Sequence, residues 1–191
     1  IRLSKCYRSS SDINALAFSL IDERERPIAE EYSYFQRTAG KPRYVICEDL
    51  FSCLAPVLER LEKHHSVAVI VNSDEEALEV KSYLEKYRRA QMIISPEDEL
   101  EDGIVIIPLL LAKGLEFDAV VLFGCIYANE KNPHLRRRVY LGCTRALHEL
   151  YFVEKNPLPE SLQDCRAYVE TEDWGRQNEE RQALEGMVQE Q

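Results

Sequence analysis

The chain has 191 residues, of which 45% are hydrophobic, enough for one packed domain and short for two. Its formal net charge of -10 argues against a surface that holds a polyanion by bulk positive charge, so any contact with nucleic acid must be local. No apolar run approaches the roughly 18 residues that cross a bilayer, and the start lacks the layout of a signal peptide. We therefore expect a cytoplasmic protein without membrane contact.

The cysteines form no C-x-x-C pair, and most lie inside apolar stretches. They are Cys6, Cys47, Cys53, Cys125, Cys143 and Cys165. This pattern is typical of reduced thiols in a protein core. The alternative is a metal site that uses Cys47, Cys53 and the His64 and His65 pair, but this spacing matches no common zinc pattern. We predict no metal.

The chain begins at Ile1, without a methionine, and we expect a fragment that starts inside an ordered element. Ser10 or Ser11 can cap a helix, because apolar residues recur at helical spacing from Ile13 to Leu20. Residues 27–42 have no clean period and are interpreted as a surface excursion.

From residue 44 onward, strand and helix signals alternate. The predicted strands are residues 44–47, 67–71, 91–94, 104–107, 119–123 and 149–153. The predicted helices are residues 49–63, with Asp49 as cap, 73–86, with a capping box at Ser73 and Glu76, and 133–147. Alternation of this kind indicates an α/β fold, a parallel sheet with helices on both faces. We place the domain at residues 1–157 and a polar extension, helical or disordered, at residues 158–191.

Two segments combine a charged residue with a strand end or a helix end, where α/β folds keep their sites. In Tyr7-Arg8-Ser9-Ser10, a stacking ring and a guanidinium precede a helix. In residues 111–118, Gly114 permits a positive φ or a close approach, and Glu116 can accept hydroxyl hydrogen bonds. Taken alone, each is more often an exposed pair or a plain tight turn. Neither contains a phosphate-binding loop, since G-x-x-x-x-G-K-[ST] occurs nowhere in the chain.

A third segment, residues 136–146, carries three successive arginines that cannot share one helical face. Arg145 shares a face with Leu141 and Gly142, so it can emerge at a cleft. Taken alone, a solvated basic helix is the commoner interpretation.

In this order, the three segments resemble motifs IV, V and VI of UvrD-like superfamily 1 helicases. The matching residues are Tyr7-Arg8-Ser9-Ser10, Ala112-Lys113-Gly114-Leu115-Glu116-Phe117-Asp118 and Tyr140-Leu141-Gly142-Cys143-Thr144-Arg145-Ala146. The resemblance spans residues 1 to about 154. It implies a RecA-like fold of the P-loop NTPase type, three-layered α/β/α, and it implies the second motor domain of an ATP-dependent DNA helicase or translocase.

The resemblance also implies roles for individual residues. ATP with Mg²⁺ is held mainly by an N-terminal RecA-like domain of the same parent chain, so this chain alone is expected to lack ATPase activity. Tyr7 stacks on the adenine, Glu116 bonds the ribose, and Arg8 and Arg145 reach the γ-phosphate as catalytic arginines. Gly114 is also expected among the residues that bind the cofactor. For the single-stranded DNA, the expected contacts are Lys113, Arg136 and Arg137.

The chain departs from the family pattern at a few positions. Pro108 and Leu110 replace the usual Thr and His that face single-stranded DNA, and Leu135 replaces a Glu. With the absence of room for a large insertion between Tyr7 and Lys113, these residues make the chain similar to the HelD-like branch, which includes proteins that bind bacterial RNA polymerase. The alternative function is therefore a non-hydrolysing docking module of an RNA-polymerase-associated protein. A third alternative is an unrelated parallel α/β domain, such as a response-regulator-like signalling module, which would need an acidic phosphorylation pocket. Asp74, Asp102 and Asp118 lie near strand ends, but their spacing indicates no pairing of acids.

Overall fold

The computed structural model describes residues 9–21 and 40–175. Its strands are β1 (Arg43–Ile46), β2 (Ser66–Val71), β3 (Gln91–Met92), β4 (Gly103–Pro108), β5 (Phe117–Phe123), β6 (Ala146–Glu154) and β7 (Glu170–Asp173). Its α-helices are α1 (Ser11–Ser19), α2 (Leu50–Arg60), α3 (Asp74–Leu84) and α4 (Leu135–Cys143). Two 3₁₀ segments cover Tyr127–Asn129 and Glu160–Tyr168.

The seven strands form one parallel sheet in the order β3-β4-β2-β5-β6-β1-β7. Successive side chains enter two separate cores: Ile70 packs with α1 and α4, whereas Val69 and Val71 pack with α2 and α3. Because both faces of the sheet are covered, its central strands are continuous apolar runs. The predicted three-layer fold with a parallel sheet is confirmed.

Side chains at the helix starts take up the backbone N–H groups that a helix leaves unbonded. The Asp49 carboxylate accepts hydrogen bonds from the N–H groups of Phe51 and Ser52, at 3.3 and 3.1 Å. The Ser73 hydroxyl accepts one from the Glu76 N–H at 3.2 Å. This is one of the two hydrogen bonds of the expected capping box. The second would join the Glu76 carboxylate to the Ser73 N–H, but the carboxylate accepts from the Asn72 N–H at 2.8 Å.

The third predicted helix ends earlier than expected. It stops at Cys143, and Ala146 already belongs to β6. The Arg145 N–H closes a tight turn onto the Gly142 carbonyl at 3.1 Å, and the Arg145 carbonyl accepts the Phe117 N–H at 2.9 Å. Pairing with β5 therefore takes the chain out of the helix, so the expectation of helix to residue 147 is wrong.

The expected boundary at residue 157 does not coincide with the edge of the domain. The second 3₁₀ segment buries Leu162 and Cys165, and β7 adds a parallel strand beside β1. The Glu170 N–H donates to the Pro42 carbonyl at 2.8 Å, and Trp174 Nε1 donates to the Glu172 carboxylate at 2.8 Å. Only three residues beyond 158 are buried among the described ones, Leu162, Cys165 and Val169, and most of their neighbours are polar, which is why the sequence predicts a polar tail here.

The cysteines of the described residues are free and buried, and Cys6 lies outside those residues. His64 contacts the Glu149 carboxylate at 3.2 Å rather than joining Cys47 and Cys53 at a metal site. Within residues 9–21 and 40–175, no three His, Cys, Asp or Glu side chains are placed to hold a metal ion. Over the same residues, no helix has the length and apolar character to span a bilayer.

Helix α4 packs closely on the sheet at Gly142. A β-carbon on Gly142 would lie 2.6 Å from one methyl of Leu122 and 3.1 Å from the other, and Leu122 is itself buried. Gly142→Ala should lower the free energy of unfolding by about 1 kcal/mol, because overpacking outweighs the gain in helix propensity. Urea denaturation measures this. Ser82→Ala, on the exposed face of α3, should change stability by less than about 0.5 kcal/mol, and a stabilising Gly142→Ala would contradict the packing argument.

Candidate functional site

The second and third sequence motifs meet at the amino ends of β5 and β6. Phe117 lies opposite Ala146 in the register of these strands, and the Phe117 N–H donates to the Arg145 carbonyl at 2.9 Å. Glu116 and Arg145 immediately precede these paired residues. They therefore lie side by side on one edge of the sheet, although 28 residues separate them along the chain.

The start of α1 joins the same edge. The Ser9 hydroxyl donates to the Ala146 carbonyl at 2.7 Å, and the Ser10 N–H donates to the Leu147 carbonyl at 2.9 Å. Tyr7 and Arg8 lie outside the described residues. The part of the first motif that is described thus contacts the residues next to Arg145.

Three acceptors hold the Arg145 guanidinium in place. Nε donates to the Leu141 carbonyl at 3.2 Å, Nη1 to the Leu115 carbonyl at 3.1 Å, and Nη2 to the Thr144 hydroxyl at 3.0 Å. Two of these acceptors are backbone groups of α4 and of the turn before β5. The side chain, which is half-buried, is therefore oriented by both motifs before any ligand arrives.

The turn before β5 depends on Gly114. Its φ is +89°, in the left-handed region that favours glycine, and a β-carbon there would meet no atom within 4 Å. The residue is thus required by backbone conformation and not by a close approach. Lys113 and Glu116, on either side of Gly114 and Leu115, are exposed.

The acidic residues considered for a phosphorylation pocket lie on opposite edges of the sheet. Asp74 begins α3 beyond the carboxyl end of β2, whereas Asp102 and Asp118 lie at the amino ends of β4 and β5. The Asp118 carboxylate accepts the N–H groups of His65 and Ser66 at 3.0 and 3.1 Å. Burial opposes ionisation of Asp118, but these hydrogen bonds outweigh it and lower its pKa. Asp118 thus joins β5 to the start of β2, and the response-regulator alternative has no pocket.

Arg136 has an internal set of partners. Its guanidinium forms two hydrogen bonds to the Asp164 carboxylate, at 2.9 and 2.7 Å, and one to the Ser161 carbonyl at 2.9 Å. It also donates to the carbonyls of Ser19 and Leu20 at the end of α1. These contacts join α1, α4 and the second 3₁₀ segment, so they support a structural role for Arg136. Its contact with nucleic acid stays a prediction.

Substitution of Arg136 and of its neighbour Arg137 distinguishes a structural role of the side chain from a role in nucleic-acid binding alone. Arg136→Ala should lower the free energy of unfolding by about 2 kcal/mol, because it removes charge-assisted hydrogen bonds and leaves carbonyls without donors. Arg137 is exposed on the same helix, and Arg137→Ala should leave stability nearly unchanged. Thermal and urea denaturation of the pair provide the measurement, and equal stability of the two variants would refute the structural role.

A buried carboxylate at the opposite edge of the sheet escaped the sequence analysis. Glu154, the last residue of β6, is 0% exposed, and its carboxylate accepts the N–H groups of Ile126 and Tyr127 at 2.7 and 2.9 Å. Burial raises its pKa to about 7, although the backbone hydrogen bonds oppose the shift. In the sequence, Glu154 directly follows four hydrophobic residues, 150–153, at the end of a predicted strand. This pattern was the available signal that the carboxylate is buried.

This burial predicts a pH dependence of stability. Below the ordinary pKa of 4.5, Glu154 is protonated in both the folded and the unfolded chain. As the pH rises towards 7, the unfolded chain releases the proton first, so folding becomes less favourable. Wild type should therefore lose up to about 3 kcal/mol relative to Glu154→Gln over this window. Urea denaturation across the pH range checks it, with Glu99→Gln, at an exposed position, as the control that keeps the wild-type profile; parallel curves for wild type and Glu154→Gln would refute it.

A cavity of about 740 Å³ is lined by none of Gly114, Glu116 and Arg145. Arg43 and Arg60 line it, and both contact the Glu172 carboxylate, at 2.8 and 2.9 Å. Glu172 thus compensates part of the positive charge of this cavity, to which Lys41 and Lys63 also contribute.

Comparison with known proteins agrees with the motif positions. Residues 103–153 match the family described as the UvrD-like helicase C-terminal domain. No curated protein sequence matches the chain. The C-terminal domain of a possible DNA helicase from Lactobacillus plantarum WCFS1 is similar in structure, with 23% identity, a TM-score of 0.66, and coverage of 86% of this chain and 98% of that one. S. cerevisiae Dbp5 bound to RNA and ADP BeF3 shares the fold at 14% identity and a TM-score of 0.52, over 84% of this chain and 48% of that one.

Proposed function

Because residues 103–153 match the UvrD-like helicase C-terminal domain family and lie in a RecA-like sheet, we propose that this chain is the second motor domain of an ATP-dependent superfamily 1 helicase or translocase. ATP with Mg²⁺ is the proposed cofactor, and it would lie between this domain and an N-terminal RecA-like domain of the same parent chain. Single-stranded DNA is the proposed nucleic-acid partner.

One observation carries the proposal: Glu116, Arg145 and the start of α1 share one edge of the sheet. A fixed guanidinium and an exposed carboxylate are the groups that recognise phosphate oxygens and ribose hydroxyls. The residues of this edge therefore fit a nucleotide. In the proposal, Arg145 faces the γ-phosphate, Glu116 bonds the ribose, and Tyr7 and Arg8, which precede Ser9, serve the adenine and the γ-phosphate.

The contribution of this chain to hydrolysis would be electrostatic. A guanidinium neutralises the charge that spreads over the transferring phosphoryl oxygens, an effect of roughly 10³ to 10⁵ in rate where such arginine fingers act. Arg145 would supply this from one domain to a nucleotide held by the other. Hydrolysis would then require closure of the cleft between the two domains, and alternate closure and opening would move the protein along a strand.

The finer assignments stay predictions. Membership of the HelD-like branch depends on Pro108 and Leu110, and Leu110 is 73% exposed just beyond the end of β4. A partner such as RNA polymerase, and the alternative of a docking module that does not hydrolyse ATP, depend on the same few positions. Arg145 separates the alternatives, since a docking module would have no use for an oriented finger.

The proposal predicts the behaviour of Arg145 variants in the full parent protein. Arg145→Ala should lower kcat for nucleic-acid-stimulated ATP hydrolysis by about 10³-fold, while nucleotide binding largely survives. Hydrolysis assays and equilibrium titration with a fluorescent ATP analogue provide the two measurements.

Two further variants control for charge and folding. Arg145→Lys keeps the positive charge but loses the planar fork, so it should restore only part of the rate. Arg89→Ala, at a side chain that is 89% exposed, should behave as wild type. Unchanged hydrolysis in a folded Arg145→Ala protein would overturn the motor function and favour the docking module.

A further inference from the structure

An exposed aromatic ring stands at the edge of the sheet opposite Arg145. Tyr127 is 47% exposed and begins the 3₁₀ segment that follows β5. Gly124, with a φ of +61°, turns the chain at the end of β5. The ring is thus presented beyond the carboxyl ends of the strands, where parallel α/β sheets form their binding crevices.

The backbone beneath this ring is held from inside the protein. The buried Glu154 carboxylate accepts the Tyr127 N–H at 2.9 Å and the Ile126 N–H at 2.7 Å. Asn129 Nδ2 donates to Asn72 Oδ1 at 2.7 Å and to the Cys125 carbonyl at 2.9 Å. Burial of a carboxylate is costly unless its oxygens are bonded, so removal of these contacts would be unfavourable. The backbone that carries the Tyr127 ring is therefore held in place.

A cation accompanies the ring. Lys155 Nζ lies 5.6 Å from the centroid of the Tyr127 ring, within the range of a cation–π contact. Lys155 is exposed and directly follows Glu154. At the end of β6, Glu154 thus points inward and contacts the amide of Tyr127, whereas Lys155 points outward and contacts its ring.

A cavity of about 240 Å³ adjoins the ring. Leu50 and Phe51 give it an apolar wall, and Asp49, Glu76 and Glu79 also line it. These carboxylates repel phosphate, but they can accept hydrogen bonds from an exocyclic amino group. The distribution of charge therefore favours a base in the cavity and its phosphate outside, at Lys155.

We propose that Tyr127 and Lys155 form a stacking platform for a base of single-stranded nucleic acid, with Lys155 contacting the adjacent phosphate. Aromatic rings beside cations are the usual means by which proteins hold single strands without reading their sequence. The inference rests on the proposed function. Because the platform and Arg145 lie on opposite edges of the sheet, a strand and a nucleotide can be bound together.

Fluorescence anisotropy with this chain and a fluorescein-labelled oligodeoxyadenylate, whose bases carry an exocyclic amino group, tests the platform at low salt. Tyr127→Ala should weaken binding by about 10-fold, the loss expected for one stacked base, and Tyr127→Phe should bind as wild type because the ring is kept. Tyr87→Ala is the matched control, since Tyr87 is 62% exposed and lies at the end of α3, away from the platform. With a 2-aminopurine strand, the wild type should quench the base and Tyr127→Ala should not.

Lys155→Ala tests the phosphate contact separately. It should weaken binding and lower the slope of log affinity against log salt by about 0.7, the value for one phosphate of a single strand. An unchanged slope would remove Lys155 from the site.

Several outcomes would overturn the platform. They are no binding by the wild type at low salt, no loss in Tyr127→Ala, or an equal loss in Tyr87→Ala. Binding of polylysine that requires Tyr127, with oligodeoxyadenylate binding unaffected by Tyr127→Ala, would assign this surface to a basic protein partner. None of these results alters the expected effect of Arg145→Ala on ATP hydrolysis, so failure of the platform and failure of the motor function are distinguishable.

Discussion

The parallel pairing of β5 with β6 determines what lies at both edges of the sheet. At the amino ends, the hydrogen bond from the Phe117 N–H to the Arg145 carbonyl brings Glu116 beside Arg145. The register of the two strands shifts by one residue between Phe117 and Ala119. At the carboxyl ends, beyond this shift, the pairing brings Glu154 under the residues that follow β5. A different register in either part would turn the paired side chains to the other face of the sheet. Both surfaces therefore depend on the pairing of β5 with β6, each on its own side of the register shift.

Charged groups of this domain hold α1, which strand pairing does not reach, and reinforce β7, which pairs only with β1. Arg136 joins the end of α1 to Asp164, and α1 carries Ser9 and Ser10 at its other end. Glu172 in β7 receives Arg43 and Arg60 and so fixes the outermost strand. A buried or half-buried charge contributes mainly when its partners have defined geometry, and loss of one partner costs more than the pair gains. Arg136 and Glu172 therefore determine where α1 and β7 lie on the rest of the domain.

The sequence predicted those features whose cause is local or repetitive. Apolar runs such as residues 67–71 indicate a strand that is buried on both faces of a sheet. Asp49 and Ser73 indicate helix starts, because a capping side chain accepts N–H groups that are close to it in the sequence. The end of α4 and the strand β7 could not be predicted, since each depends on pairing with a distant segment. The inward direction of Arg136 and the burial of Glu154 were missed for the same reason. The motifs indicated which residues share the Arg145 edge, but not the backbone contacts that orient the guanidinium.

The acidity of the chain bears on how it can hold a polyanion. Its formal charge is -10, but a charge farther away than the Debye length of about 8 Å in physiological salt is largely screened. The potential at each edge is thus determined by the residues there. They are Lys113, Glu116 and Arg145 at one edge, and Lys155 with the carboxylates of Asp49, Glu76 and Glu79 at the other. A distant negative surface would still slow encounter with a nucleic acid at low salt. An acidic motor domain of this kind would hold a strand by a few fixed contacts, so that each step along the strand breaks only a few contacts.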